Sequence, residues 1–373
     1  MKILYIGNYR DGTGWANACI NNILALDSAD IDVVPRAITF ETQQQDYPDR
    51  IKELESATTH GCDVCIQHTL PHLYSYDSNY KNIGFVATES SNFKDSSWQY
   101  YMNLMDEIWV PSNASKASCE NSGVKVPIHV VPHSLDISKY KKNNGGNQIQ
   151  QLLSTFNFAF VGEFIERKNI KALIQAFHIE FGTHEPVNLL IKTSQASLPT
   201  IQGYLRQIKN GIKIRQTYKE EIIITGRLEA VDYISVLGQC HSFVMPSRGE
   251  GFCIPALEAM ALGIPVIHTA ETGMDDFCVG TPVASYTQPC LGTLSTIDNL
   301  DTARSDWREI DIRKLCSAMR KEFQKWNSEE AEKDSQKAKS WASQYDHAKI
   351  GKQLMERFSS QVCTKLKGLL DDE

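Results

Sequence analysis

Glu250 and Glu258 stand eight residues apart in the run Pro246-Ser-Arg-Gly-Glu-Gly-Phe-Cys-Ile-Pro-Ala-Leu-Glu258. Pro255 suits the first turn of a helix, and Gly263 with Pro265 ends it, so the run reads as a loop entering a short helix. The backbone amides of Gly251, Phe252, Cys253 and Ile254 then sit at the positive end of that helix, an arrangement that holds phosphate. One turn into the helix, the Glu258 carboxylate can accept hydrogen bonds from two vicinal hydroxyls, such as those of a ribose. Glu250, on the loop, is placed to reach a sugar joined to that phosphate. A second cluster, Arg167 and Lys168, follows a strand-like run that ends in Gly162, and cations there neutralise the charge that develops on a departing diphosphate. A third, Gly7-Asn-Tyr-Arg-Asp-Gly-Thr-Gly14, is a glycine-rich turn through which backbone approaches phosphate or sugar closely; Gly12 and Gly14 are its donor-binding candidates. It does not complete G-x-G-x-x-G, because Asn17 stands where the third glycine would fall.

The elements that must position these residues follow an alternating pattern. Apolar runs at 3–6, 31–34, 64–66, 83–87, 108–110 and 128–131 alternate with helical stretches such as Ala16, Ile20, Ile23 and Leu24. That is the pattern of a buried parallel sheet with crossover helices. A polar stretch including Asn143, Asn144, Gly145 and Gly146 interrupts it, and the pattern restarts at 158–161, followed by a helix carrying Ile170, Leu173, Ile174 and Phe177. Further strands are expected at 189–191, 222–224, 243–245 and 266–267. After Trp307 the chain reads as helical to near its end, with Leu315, Met319, Phe323 and Trp326 on one stripe. The expected organisation is an α/β protein of two doubly wound, Rossmann-like domains: 1–140, a linker at 141–154, 155–345, and a C-terminal helix at 346–373 that packs back on the first domain.

At 373 residues the chain is long enough for two such domains and the cleft between them. Its net charge of −7 excludes a basic nucleic-acid groove. Acidic residues outnumber basic ones over 1–150, which gives no polybasic surface for anionic lipid. No run approaches the ~18 apolar residues of a transmembrane helix, and the opening strand is too short for a signal peptide, so a cytoplasmic protein is expected, with peripheral membrane contact left open. The ten cysteines are then expected to stay reduced. Cys62 and Cys65 form a C-x-x-C around a strand whose alternation would turn them to opposite faces.

Taken together, these residues resemble family 4 of the glycosyltransferases, a retaining group with the two-domain GT-B fold, over nearly the whole chain. The resemblance places Glu250 and Glu258 on that family's Glu-x7-Glu motif, the first on the donor sugar and the second on the ribose, and places Lys168 on its phosphate-binding lysine. Gly162, Arg227 and Leu228 join the donor-binding set. Two positions depart from the pattern: Glu163 follows Gly162 where an arginine is usual, which passes that role to Arg167, and Cys253 replaces a glycine. Glu89 stands where many relatives carry a cleft histidine, and His68, Asn8 and Trp15 are the acceptor-side candidates. Trp98, Asn103, the stretch from Asp106 to Ser112, and Val131-Pro-His-Ser-Leu-Asp136 also look like this family, in branches that use GDP-mannose.

The resemblance implies transfer of a hexose, mannose from GDP-mannose ahead of glucose from UDP-glucose, to a glycan, a lipid-linked or another acceptor. The donor binds the second domain, the acceptor binds the first, and closure excludes water. Glu250, Lys168, Arg167 and Glu89 are the catalytic candidates. No cofactor and no metal are implied, and the Asp275-Asp276 pair matches no metal spacing. Rival readings are a nucleotide-sugar epimerase of the same fold, which needs acid and base on both sides of one sugar, and a non-catalytic relative that binds a sugar nucleotide or glycan.

Overall fold

A computed structural model describes residues 1–39, 45–142, 146–194, 197–292 and 300–371, with side chains to residue 359. Asn143, Asn144 and Gly145 of the expected linker lie outside the described residues. Two six-stranded parallel sheets organise the chain. The first contains β1 (Lys2–Gly7), β2 (Asp32–Ala37), β3 (Val64–His68), β4 (Lys81–Phe85), β5 (Glu107–Val110) and β6 (Ile128–Val130). The second contains β7 (Phe156–Val161), β8 (Val187–Lys192), β9 (Ile222–Ile224), β10 (Ser242–Met245), β11 (Val266–Thr269) and β12 (Gly280–Val283). Helices α1 (Gly14–Ser28), α2 (Asp49–Glu55), α3 (Trp98–Met102) and α4 (Asn113–Asn121) belong to the first half. The second carries α5 (Ile170–Glu180), α6 (Leu198–Ile212), α7 (Ala230–Gly238), α8 (Ile254–Ala261), α9 (Ile312–Gln324) and α10 (Glu329–Ala342), and α11 (His347–Asp371) ends the chain.

Helices on both faces bury the central strands, which is why β7 is apolar almost throughout: Phe156, Phe158, Ala159 and Phe160 are all buried. Ile170, Leu173, Ile174 and Phe177 of α5 recur at helical spacing, and all four lie in the same core. Packing of this kind fixes the strand ends, and the strand ends fix the loops that carry chemistry.

Strand order determines where those loops meet. The first sheet runs β2-β1-β3-β4-β5-β6 and the second β12-β11-β10-β7-β8-β9. In each, the direction of winding reverses once, between β1 and β3 and between β7 and β10. Ligand crevices of open α/β sheets form at the carboxyl ends of such strands, because the two following connections leave on opposite faces. The loops at these two points are Gly7–Gly14 with His68–Thr69, and Gly162–Lys168 with Pro246–Glu250.

Two expectations need correction. Asp306–Ile310 is a strand, β14, that pairs antiparallel with β13 (Ser285–Pro289), so the helical region begins at Ile312 and not at Trp307. The alternation that buries Trp307 and Glu309 is of period two, too short a run to stand out beside the amphipathic helix that follows. Cys62 and Cys65 do not face apart: both join Leu4 and Val34 in one apolar cluster. Cys62 precedes β3, so strand alternation does not govern it.

The chain crosses between the halves at two adjacent places, where the Leu135 amide donates to the Tyr345 carbonyl at 2.9 Å. From there α11 returns along α1, and its Ile350, Leu354 and Phe358 join the core of the first sheet. A Cβ at Gly351 would lie 2.1 Å from the Ala25 carbonyl oxygen, so this helix crossing depends on glycine. Gly351→Leu is expected to lower stability by roughly 1–3 kcal/mol through overpacking. Denaturant unfolding checks this, and an unchanged midpoint would contradict the crossing.

Candidate active site

At the β7/β10 switch point four charged side chains converge. Arg167 and Lys168 lie on a short 3-10 turn, Glu166–Lys168, after β7. Asn169 ends that turn in the left-handed region at φ 52°, a conformation asparagine tolerates, and starts α5. Glu250 lies on the loop between β10 and α8. Lys168 Nζ is 2.6 Å and Arg167 Nη1 3.1 Å from Glu250 Oε1. From the first half, Glu89 Oε2 is 2.9 Å from Arg167 Nε, so one guanidinium spans the cleft. The four catalytic candidates therefore form one contiguous cluster.

The electrostatics follow from this packing. Burial pushes the Glu250 carboxyl upward, but Lys168 and Arg167 more than offset it and hold Glu250 below the usual carboxylate range. Glu89 is raised, by desolvation first and by the nearby Glu250, against the pull of Arg167. The loops are braced from behind. Arg167 also donates to the Gly249 carbonyl at 2.6 Å, and the Arg248 amide donates to the Arg167 carbonyl at 2.7 Å. Glu309 of β14 accepts from Asn169 at 3.0 Å and from Arg248 Nε at 2.5 Å, so the ribbon missed in the sequence pins both loops.

Glycines in this region permit backbone contact across the cleft. A Cβ on Gly249 would lie 1.7 Å from the Glu89 carbonyl oxygen, and one on Gly251 would lie 2.8 Å from Ala87 Cβ. Helix α8 starts as expected, with Pro255 in its first turn and Gly263, at φ +74°, just past its end. Cys253 caps it at φ 83°, a left-handed position that suits glycine and that this chain fills with a buried thiol. Phe252 stacks on Phe277, with ring centroids 4.1 Å apart. Ile254 is buried under the helix start.

Glu258 lies on α8, half-buried, and both carboxylate oxygens already have partners. Tyr140 donates to Oε1 at 2.8 Å and Tyr233 to Oε2 at 2.6 Å. Neither tyrosine carries a signal in the sequence. Arg227 Nη2 donates to the Gly12 carbonyl across the cleft, and a Cβ at Gly12, φ +68°, would collide with that guanidinium. Gly14 is the first residue of α1, Gly162 closes β7 with Lys168 and Phe160 as its neighbours, and Leu228 is half-buried before α7.

The acceptor-side candidates gather at the β1/β3 switch point. His68 ends β3, fully buried, with Nδ1 2.6 Å from the Tyr5 hydroxyl and its ring stacked on Phe85 at 4.3 Å. Trp15 lies 5.7 Å from the His68 ring. Asn8 is buried and donates to Asp11. The Asn8 Oδ1 and Thr69 Oγ1 atoms are buried without a hydrogen-bond partner among the described residues. His133, 5.8 Å from His68, packs its edge against Phe252 of the second half. Among the described residues no group of three or more His, Cys, Asp or Glu side chains is arranged to hold a metal ion. Asp275 bonds to His268 at 2.9 Å, and Asp276 accepts from the Asn113 amide at 2.6 Å.

Residues 148–279 match the family model of glycosyl transferases group 1, and residues 229–362 match that of family 4 glycosyltransferases in conflict systems. In fold the chain is therefore of the GT-B type, and its second half carries the matches to the glycosyltransferase family models. It is similar to the serotype-specific mannosyltransferase WbdA of Escherichia coli, 31% identical over 116 residues, 30% of this chain and 13% of that protein. It is 23% identical to the lipopolysaccharide 1,2-N-acetylglucosaminetransferase of Salmonella typhimurium, over 63% of this chain and 62% of that protein. Thus the chain spans only a minor part of the first of these relatives and somewhat under two thirds of the second. Among solved structures, HepE of Anabaena in complex with UDP superposes with a TM-score of 0.65 at 16% identity, covering 96% of this chain and 100% of that one. Sucrose-phosphate synthase of Thermosynechococcus elongatus gives 0.64 at 13% identity, covering 98% and 100%.

Burial lowers the His133 pKa to about 3 from its ordinary 6.5, so the folded protein keeps this ring neutral. The unfolded chain binds that proton below pH 6.5 and the folded one does not, so the stabilisation is present above pH 6.5 and lost as pH falls towards 3. Replacing His133 by Phe is expected to remove up to about 1.4 kcal/mol per pH unit from the acid-side slope. Denaturant midpoints between pH 7 and 5 measure it; an unchanged slope would show the ring to be protonated in the folded state.

Proposed function

We propose that this protein is a retaining glycosyltransferase that moves a hexose from a nucleoside-diphosphate sugar to a glycan or lipid-linked acceptor. The observation that carries the reading is the joining of Arg167, Lys168 and Glu250 at the switch point of one sheet, bridged to Glu89 from the other. Mannose from GDP-mannose is the favoured donor. The similarity to mannosyltransferases supports that choice, and glucose from UDP-glucose is the alternative.

In this reading the diphosphate lies against the start of α8, where the helix dipole favours its charge, and Lys168 and Arg167 neutralise the leaving group. Glu258 accepts from the ribose hydroxyls. Glu250 still has acceptor capacity beyond its two cations and takes a hydroxyl of the transferred sugar. The acceptor enters from the His68, Asn8 and Trp15 side and attacks the oxocarbenium-like centre on the face the diphosphate leaves, which keeps the anomeric configuration. Glu89 stands on that side, paired with Arg167. With leaving-group charge met by amides and two cations, the reaction is proposed to need no metal and no cofactor. The apposed domains exclude water and so suppress hydrolysis. An epimerase is disfavoured, because the family models and relatives that match the chain are glycosyltransferases.

Glu258→Ala is expected to weaken donor binding roughly ten- to a hundredfold, from the loss of two hydrogen bonds to a carboxylate. Lys168→Ala is expected to lower turnover on the order of a hundredfold with a smaller change in KM. Steady-state transfer assays across nucleotide sugars check both, and full activity in both variants would refute the site.

A further inference from the structure

Glu258 is a half-buried carboxylate whose two oxygens are each met by a neutral phenol, while no cation pairs with it among the described residues. Burial raises its pKa and the two phenol donors oppose that rise. Burial first, and then the facing carboxylate, also raise the pKa values of Tyr140 and Tyr233, so both phenols stay protonated and donate. A carboxylate offers about four lone-pair sites, two per oxygen. Each tyrosine takes one on a different oxygen. What remains is one acceptor position on each oxygen, with the carboxylate held from two directions.

The two phenols come from different parts of the fold. Tyr233 lies on α7 of the second domain, whereas Tyr140 lies at the crossing where the chain passes from one sheet to the other. The carboxylate is thus held jointly by the donor domain and by the interdomain connection.

We propose that Tyr140 and Tyr233 are positioning residues that aim Glu258 at a vicinal diol, and that they make the protein select ribonucleotides over 2′-deoxyribonucleotides. This rests on the reading of Glu258 as the ribose contact. A cis-diol satisfies both open acceptor positions. A 2′-deoxyribose leaves one of them desolvated and unpaired, and sites built to accept a hydroxyl reject analogues that lack it. A freely rotating carboxylate could turn its empty position to solvent, which is why the discrimination depends on the tyrosines and not on Glu258 alone.

The test measures affinity for UDP, GDP and ADP and their 2′-deoxy counterparts by calorimetry, on the wild type, Tyr140→Phe and Tyr233→Phe, with melting temperatures recorded beside them. The wild type is expected to prefer the ribonucleotide it binds by about tenfold or more. Each phenylalanine variant is expected to lose most of that ratio, its ribonucleotide affinity falling more than its deoxyribonucleotide affinity. Variants that melt earlier but keep the wild-type ratio would show the tyrosines to be structural only and overturn the inference. A wild type that binds ribo- and deoxyribonucleotide equally overturns it while leaving a nucleotide site in place. A wild type that binds none of the six removes the donor-site reading as well.

Discussion

The Arg167 guanidinium is the interaction on which the site depends. Its Nε meets Glu89 from one domain at 2.9 Å, while its Nη1 meets Glu250 at 3.1 Å and the Gly249 carbonyl at 2.6 Å from the other. A guanidinium withdrawn from water is tolerated only where its donors are met, and removal of one carboxylate would leave an uncompensated charge. Arg167 therefore ties the β7 and β10 loops to each other and both to the opposite domain. Gly249 and Gly251 follow from the same constraint, since side chains there would hold the two backbones apart.

Much of the sheet architecture was legible because buried parallel strands read as unbroken apolar runs and crossover helices as 3.6-residue stripes. Ile3 to Ile6, Phe158 to Val161 and Phe243 to Met245 all lie in strands of this kind. Glu250, Glu258 and Lys168 stand out as candidates because glycine and proline punctuate the loops around them. The supports do not. Tyr140 and Tyr233 lie far from Glu258 in sequence and meet it only through the fold, and a lone tyrosine reads as core. Glu309 was hidden for a related reason, on a five-residue strand whose antiparallel partner, β13, is not its immediate neighbour in sequence.

Cys253 shows how a family pattern and a structure inform each other. The resemblance marked it as a departure from glycine, and the backbone explains why glycine suits the position: φ is 83°. The chain keeps the left-handed turn that directs the start of α8 and accepts a strained residue there, with its thiol buried beside the charge cluster. The departure therefore changes the wall of the site and leaves the turn intact.

The most direct measurement is a thermal-shift series of the purified protein with GDP, UDP, ADP and their sugar conjugates, run with and without EDTA. Ligands that bind the native state raise the melting temperature by mass action. A metal-independent donor site built from α8, Lys168 and Arg167 predicts a concentration-dependent shift with at least one nucleoside diphosphate that persists in EDTA. No shift with any nucleotide, or a shift abolished by EDTA, would contradict it.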